Sequence, residues 1–223
     1  MKKAFLFPLL IILLLLAVHF LIPSQPKGAA AYVSVDTNLY HSPADPQPFA
    51  IIPSGTRVRW ISTTPDYAFG YIEATVKGKS VRAYAPWLAL NITNDGHEAE
   101  QAMAYLLSET GWTAEEAEAY GMHTPAVYMR NQFVSVAVRS SISPQWTYYV
   151  WLDKLNGGLH DIQSPFVGEK QTISEKTLRE TLRSGTLTDA HAVRSYFSDC
   201  FGPEESWSAA LKEWADAACD GLP

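Results

Sequence analysis

The chain has 223 residues, 47% of them hydrophobic, with seven Trp, eleven Tyr and a net charge of −6, which excludes wholesale disorder. The charge is unevenly placed: residues 32–96 carry five basic and five acidic side chains, residues 97–223 nine basic and eighteen acidic. A net −9 over the second stretch, with no basic aromatic face to offset it, excludes a nucleic-acid partner. At the N-terminus, Lys2 and Lys3 precede an apolar run from Ala4 to Pro23 broken only by Pro8 and His19, the pattern of an export signal. About nineteen apolar residues approach the ~20 that span a bilayer, so residues 1–31 fit a signal anchor with the lysines inside. Ala29-Ala30-Ala31 also supplies the small residues that a signal peptidase reads, so a cleaved signal peptide stays open. The apolar run has no cysteine near its end, which excludes a lipoprotein anchor.

Residues 32–92 read as short strands. Pro53 and Gly55 bracket a turn before Thr56–Ile61, where Val58 and Trp60 alternate with Arg57 and Arg59 as in a half-buried strand. Thr63-Thr64-Pro65-Asp66 makes a second turn; Tyr71, Ile72, Thr75 and Val76 are strand formers, and Lys77-Gly78-Lys79 is a hairpin turn returning into Val81–Tyr84. Short strands at this spacing, with no helical period, predict a small barrel.

The same stretch carries a family likeness. Asn38-Leu39-Tyr40-His41-Ser42-Pro43, Pro53-Ser54-Gly55-Thr56-Arg57-Val58-Arg59-Trp60, Gly70-Tyr71-Ile72-Glu73, Lys77-Gly78-Lys79 and Tyr84-Ala85-Pro86-Trp87-Leu88 follow one another in an order that resembles the bacterial SH3-like (SH3b) domain. The resemblance covers about 58 residues, from Val33 to Leu90. It departs from the family in two places. The first loop lacks the arginine and glycine of Asn-x-Arg-x-Gly-Pro, and the closing Gly-Tyr/Trp-Val is Ala83-Tyr84-Ala85. The resemblance implies a small β-barrel outside the cytoplasm whose aromatic groove takes peptidoglycan stem peptides or other peptide segments. Candidates for that groove are Tyr40, His41, Trp60, Tyr67, Tyr84 and Trp87. A small barrel also needs aromatics to fill its core, a reading that suits Trp60 and Tyr84, whereas Tyr40 and Tyr67 lie in loop-like contexts.

Asn91–Gly96 is polar and turn-forming and places a domain boundary near residue 95. Residues 97–223 then read as an acidic α+β domain. Glu98–Ser108 sets Ala102, Tyr105 and Leu106 on one helical face and ends at Gly111. Thr113 with Glu116 is a capping-box pattern opening a helix to about Tyr120. Tyr128, Phe133, Val134, Val136 and Val138 read as strands, Trp146–Leu152 as the strongest strand in the chain, and Asn156-Gly157-Gly158 as a hairpin turn. Helices follow over Ile173–Arg183, Thr188–Ser198 and Glu204–Ala218. Helix, antiparallel strands and the Asp153–Leu159 hairpin together are similar to PepSY-type or cystatin-like modules, a likeness that implies binding or inhibition of partners.

Catalytic constellations are sparse. Ser198-Asp199-Cys200-Phe201-Gly202 echoes the nucleophile motif of NlpC/P60 cysteine peptidases, but the base such an enzyme needs downstream is missing, since the last histidine is His191. His97, His123, His160 and His191 stand singly with no metal-ligand spacing, and no phosphate loop or dinucleotide fingerprint occurs. No cofactor or metal is expected. Cys200 and Cys219 are the only cysteines; an oxidising compartment favours a disulfide between them, while two antiparallel helices would hold them apart. The expectation is therefore a mainly β SH3-like barrel followed by an α+β domain, in an exported, non-catalytic binding or adaptor protein, membrane-anchored or secreted. The alternative is a cell-wall hydrolase with its site in residues 97–223.

Overall fold

The computed structural model describes residues 28–166 and 171–223, and the apolar run read as an export signal lies outside them. Among the described residues, eleven strands in three antiparallel sheets and five α-helices form a mixed fold, strands first and helices last. No helix among them is long and apolar enough to cross a membrane.

The first half is built on a five-stranded sheet in the order β6-β5-β4-β1-β7, from β1 (Ala29–Val33), β4 (Arg57–Thr63), β5 (Phe69–Val76), β6 (Lys79–Pro86) and β7 (Leu90–Ile92). A two-stranded ribbon, β2 (Thr37–Leu39) with β3 (Ala50–Ile52), reaches the β6 edge through a single bridge, Tyr40 to Tyr84. The ladder does not close, so the barrel expected from the strand spacing is met only as twisted antiparallel strands. The β5–β6 hairpin follows its turn residues: Val76 pairs with Lys79 across Lys77 and Gly78, both at positive φ, as a right-handed strand twist requires. Trp60 fills the centre, fully buried, and donates its indole N–H to the Ser62 carbonyl at 2.9 Å. Gly70 is what admits it, because a Cβ there would lie 2.7 Å from Trp60 Nε1 and 2.3 Å from Leu90.

Sheet pairing begins earlier than the sequence suggests. Ala29, Ala30 and Ala31 pair with Trp60, Arg59 and Val58 on one side, and Ala31 with Ile92 on the other. The three alanines that resemble a cleavage signal are thus an interior strand of the sheet.

The second half places α1 (Glu98–Thr110) across a four-stranded sheet in the order β11-β10-β9-β8, built from β8 (Met122–Arg130), β9 (Phe133–Ser140), β10 (Thr147–Asp153) and β11 (Gly158–Gln163). Ala102 and Leu106 of α1 meet Val134, Val136, Val150 and Leu152, all buried. Gly111 closes α1 in the left-handed conformation, and the capping box at Thr113 and Glu116 forms both reciprocal bonds to start α2 (Ala114–Ala119). Then α3 (Glu175–Arg183), α4 (Ala190–Phe201) and α5 (Ala209–Cys219) pack at the β10 end. The span expected as one helix from Glu204 is divided: a 3-10 turn at Glu204–Ser206 precedes α5, which has its own cap at Ser208.

The halves meet at the two-residue tip of the β8–β9 hairpin. Asn131, buried and at φ 55°, donates through Nδ2 to the Trp87 and Leu90 carbonyls at 3.0 and 2.9 Å. Its carbonyl accepts from Ile92 N at 2.9 Å. Gln132 Oε1 accepts from Thr63 Oγ1 and Trp87 Nε1, while Nε2 donates to Asp153. The interval near residue 95 is pinned as well: Glu98, buried, accepts from the backbone of Asp95 and Gly96, and Lys154 Nζ lies 2.7 Å from Asp95 and 3.3 Å from Glu98.

Asn131→Ala strands two buried carbonyls and puts an unfavourable residue in the left-handed region, so it destabilises the chain by about 3 kcal/mol. Asn131→Gly, with the backbone cost removed, loses about 1 kcal/mol less. Urea unfolding followed by tryptophan fluorescence measures both, and a loss below about 1 kcal/mol for Asn131→Ala would contradict this account of the junction.

Candidate binding surfaces

Alternation along β5 and β6 creates an outward face. Gly70, Ile72 and Ala74 of β5 and Ala83 and Ala85 of β6 point inward, which turns Phe69, Tyr71 and Glu73, and Arg82, Tyr84 and Pro86, to the outside. Register then builds rows across the strands. Tyr71 opposes Tyr84 with ring centroids 4.9 Å apart, and Phe69 opposes Pro86. The Tyr40–Tyr84 bridge, with backbone bonds of 2.9 and 2.8 Å, brings Tyr40 alongside, edge-on to Phe69 at 5.7 Å. In the next row Arg59 and Arg82 converge on Glu73 Oε2 at 2.7 and 3.2 Å. The Arg59 hydrogen bond, then that of Arg82, holds the Glu73 carboxyl below its ordinary range.

The six expected groove residues divide four ways. Tyr40 and Tyr84 lie together on this half-buried outer face, joined by Phe69 and Tyr71. Trp60 is sealed in the core and cannot line a groove, which corrects that assignment: the inward side of β4 needs a large ring there. Tyr67 and Trp87 belong to the junction between the halves. Tyr67, at φ 55° and 44% exposed, stands edge-on to Trp87 at 5.6 Å and 6.2 Å from Phe133, which in turn is 4.7 Å from His160. His41 is exposed and stacks flat on Phe49 at 4.0 Å in the β2–β3 loop. His160 and Asp161 are both exposed on β11. Glu116 both closes the capping box with Thr113 and pairs with Arg183 at 2.9 Å.

A second site sits among the helices. The Arg179 guanidinium lies 3.7 Å from the Trp112 ring and 4.3 Å from the Trp214 ring, one on each face. Its Nε and Nη2 both donate to Glu175 Oε1, at 3.1 and 2.9 Å. Tyr148 donates its hydroxyl to the same oxygen at 2.7 Å and accepts from Trp112 Nε1 at 3.1 Å. Burial raises the Glu175 carboxyl, opposed by the Arg179 charge, and raises the Tyr148 phenol well above its ordinary value. Beside this cluster is a cavity of about 360 Å³ lined by Arg179, Arg183, Tyr120, Leu182, Leu187 and Trp214 among others. Sequence reading missed Arg179 and Glu175 because a Glu and an Arg four apart on a helix ordinarily mark a solvated face.

Cys200 and Cys219 are free thiols. Cys219 Sγ packs 3.6 Å from the Ala190 carbonyl at the start of α4, while Cys200 lies ten residues further along that helix, about 15 Å away, so of the two alternatives left open by the sequence the helices hold the cysteines apart. Burial pushes the Cys200 thiol up to about 11. Among the described residues no three His, Cys, Asp or Glu side chains converge as a metal would require. No protein-family model matches the chain, and comparison with curated proteins and with solved structures likewise finds no match.

Two thiols per chain should titrate with Ellman's reagent after denaturation without reductant. In the native state at pH 8, about one part in a thousand of Cys200 is thiolate, so its alkylation runs at least a hundredfold slower than in the unfolded chain. Recovery of fewer than two thiols would show that the cysteines do pair.

Proposed function

We propose that this chain is an exported, non-catalytic binding module: an SH3-like half that recognises peptide through its outer aromatic face, joined rigidly to an α+β half that engages a protein partner. The observation that carries this reading is the cluster of Tyr40, Phe69, Tyr71 and Tyr84, four rings on an outward sheet face whose contacts are to one another and not to the core. Such rings supply flat apolar area with polar rims, the surface that an extended peptide needs. The SH3-like reading rests on the strand succession and on the ribbon that the Tyr40–Tyr84 bridge adds to the β6 edge. A helix laid across a four-stranded antiparallel sheet fits the PepSY-type or cystatin-like resemblance of the second half. The N-terminal apolar run supports export and membrane tethering.

Cell-wall peptide is the ligand that the resemblance favours. Purified peptidoglycan should pull down the protein, and the paired change Tyr71→Ala with Tyr84→Ala should reduce the bound fraction at least tenfold with the thermal midpoint lowered only slightly, because neither ring is in the core. Retention no greater than an albumin control would count decisively against the peptide-binding half. A cleared zone in peptidoglycan zymography would replace the whole reading with a hydrolase.

A further inference from the structure

The buried arginine of α3 is held more tightly than neutralisation alone requires. Both faces of its guanidinium are covered by indoles, Trp112 at 3.7 Å and Trp214 at 4.3 Å. One edge, Nε with Nη2, is fixed on a single carboxylate oxygen, Glu175 Oε1. A fork-to-fork pair would use both oxygens, yet Glu175 Oε2 is buried with no partner and Arg179 Nη1 has no acceptor among the described residues. With two faces and one edge occupied, the Nη1 end is what Arg179 presents to the cavity that it lines. Arg179 is only 5% exposed, so that N–H end is preorganised in a largely water-excluded setting.

Leu182, Leu187, Val193, Leu222 and the Trp214 ring supply apolar wall, and Tyr120, the Arg183–Glu116 pair and Asp220 are the other polar groups that line it. The volume, about 360 Å³, falls within the ~300–1,000 Å³ range of small-molecule pockets. Charge decides the head group. Arg179 is balanced by Glu175 and Arg183 by Glu116, Asp220 stands at the rim, and residues 97–223 carry net −9. An anionic ligand would enter as an unbalanced charge, whereas a carbonyl oxygen takes the open N–H without adding one.

We infer that this cavity is a binding site for a small uncharged molecule with an apolar chain and a carbonyl head, an amide or ester, whose oxygen accepts from Arg179 Nη1 while its chain lies against Trp214 and the leucines. The site is independent of the peptide-binding face, so either can fail without the other.

Isothermal titration of the purified full chain with hexanamide and with hexanoate at pH 7.5 tests it. Hexanamide should bind saturably at one site, and hexanoate at least tenfold more weakly. Arg179→Lys keeps the charge opposite Glu175 but not the second donor edge, and should weaken hexanamide about tenfold. Leu187→Trp, at a half-buried rim position, fills the cavity and should abolish binding while leaving the fold intact by circular dichroism, so the test stands even if Arg179→Lys unfolds the protein. Absence of saturable binding, hexanoate binding as tightly as hexanamide, or full binding by the Leu187→Trp protein would each overturn the inference.

Discussion

The side-chain amides of Asn131 and Gln132 are the principal hydrogen-bonded link between the two halves of this protein. A hairpin tip is ordinarily solvated, and here it is buried against the first sheet with Asn131 Nδ2 and both polar atoms of the Gln132 side chain in use. Gln132 links Thr63 and Trp87 of the first half to Asp153 of the second, and Asp153 in turn accepts from Leu155 N, Asn156 N and Asn156 Nδ2 to shape the β10–β11 loop. One residue therefore sets the junction and the neighbouring turn together. Most of these bonds join neutral groups; charge enters the seam through the Asp153 carboxylate, which accepts from Gln132, and through Lys154, whose nearly buried ammonium lies on Asp95 and Glu98.

The second half solves a different problem, how three short helices cohere at the end of a sheet. Trp146 is the centre, with Trp112, Tyr120, Phe166 and Trp214 around it at centroid distances of 5.4 to 5.8 Å, all near edge-on. Rings in that arrangement leave flat slots, and a planar guanidinium fills such a slot by stacking, as a lysine ammonium could not. The Arg179–Glu175 pair would be costly in isolation; the indole faces and the Tyr148 hydroxyl offset its desolvation.

What could be read from the sequence were features whose cause is local. The Thr113–Glu116 capping box, the left-handed Gly111, the Lys77-Gly78 turn and the buried alternation of Val58 and Trp60 each depend on residues within a few positions, and each forms as its chemistry requires. The misses have non-local causes. Ala29–Ala31 has weak strand propensity and becomes a strand because β4 and β7 flank it on both sides. Phe69 and Tyr71 read as strand formers with no sign of which face they take, because the inward positions between them are small: Gly70 is inward only because Trp60 and Leu90 leave no room for a side chain. Arg179 and Glu175 carry the spacing of an exposed ion pair, and only the indoles around them make the pair internal.

Aromatic richness alone is therefore a poor locator of a site in this chain; the partner of each ring is what discriminates. Trp60 has given its indole N–H to its own strand and its area to the core. Trp87 has given its N–H to Gln132, and Tyr67 leans on Trp87 and Phe133, so both are committed to holding the halves together. A ligand at either would have to displace structure before gaining contact. Tyr40, Phe69, Tyr71 and Tyr84 pack against one another on a surface whose strands are fixed by the β5–β6 ladder and the Tyr40–Tyr84 bridge. Covering these rings would disturb neither the core nor the junction. Of the three aromatic groups, that one alone can exchange solvent for a partner without altering the fold that positions it.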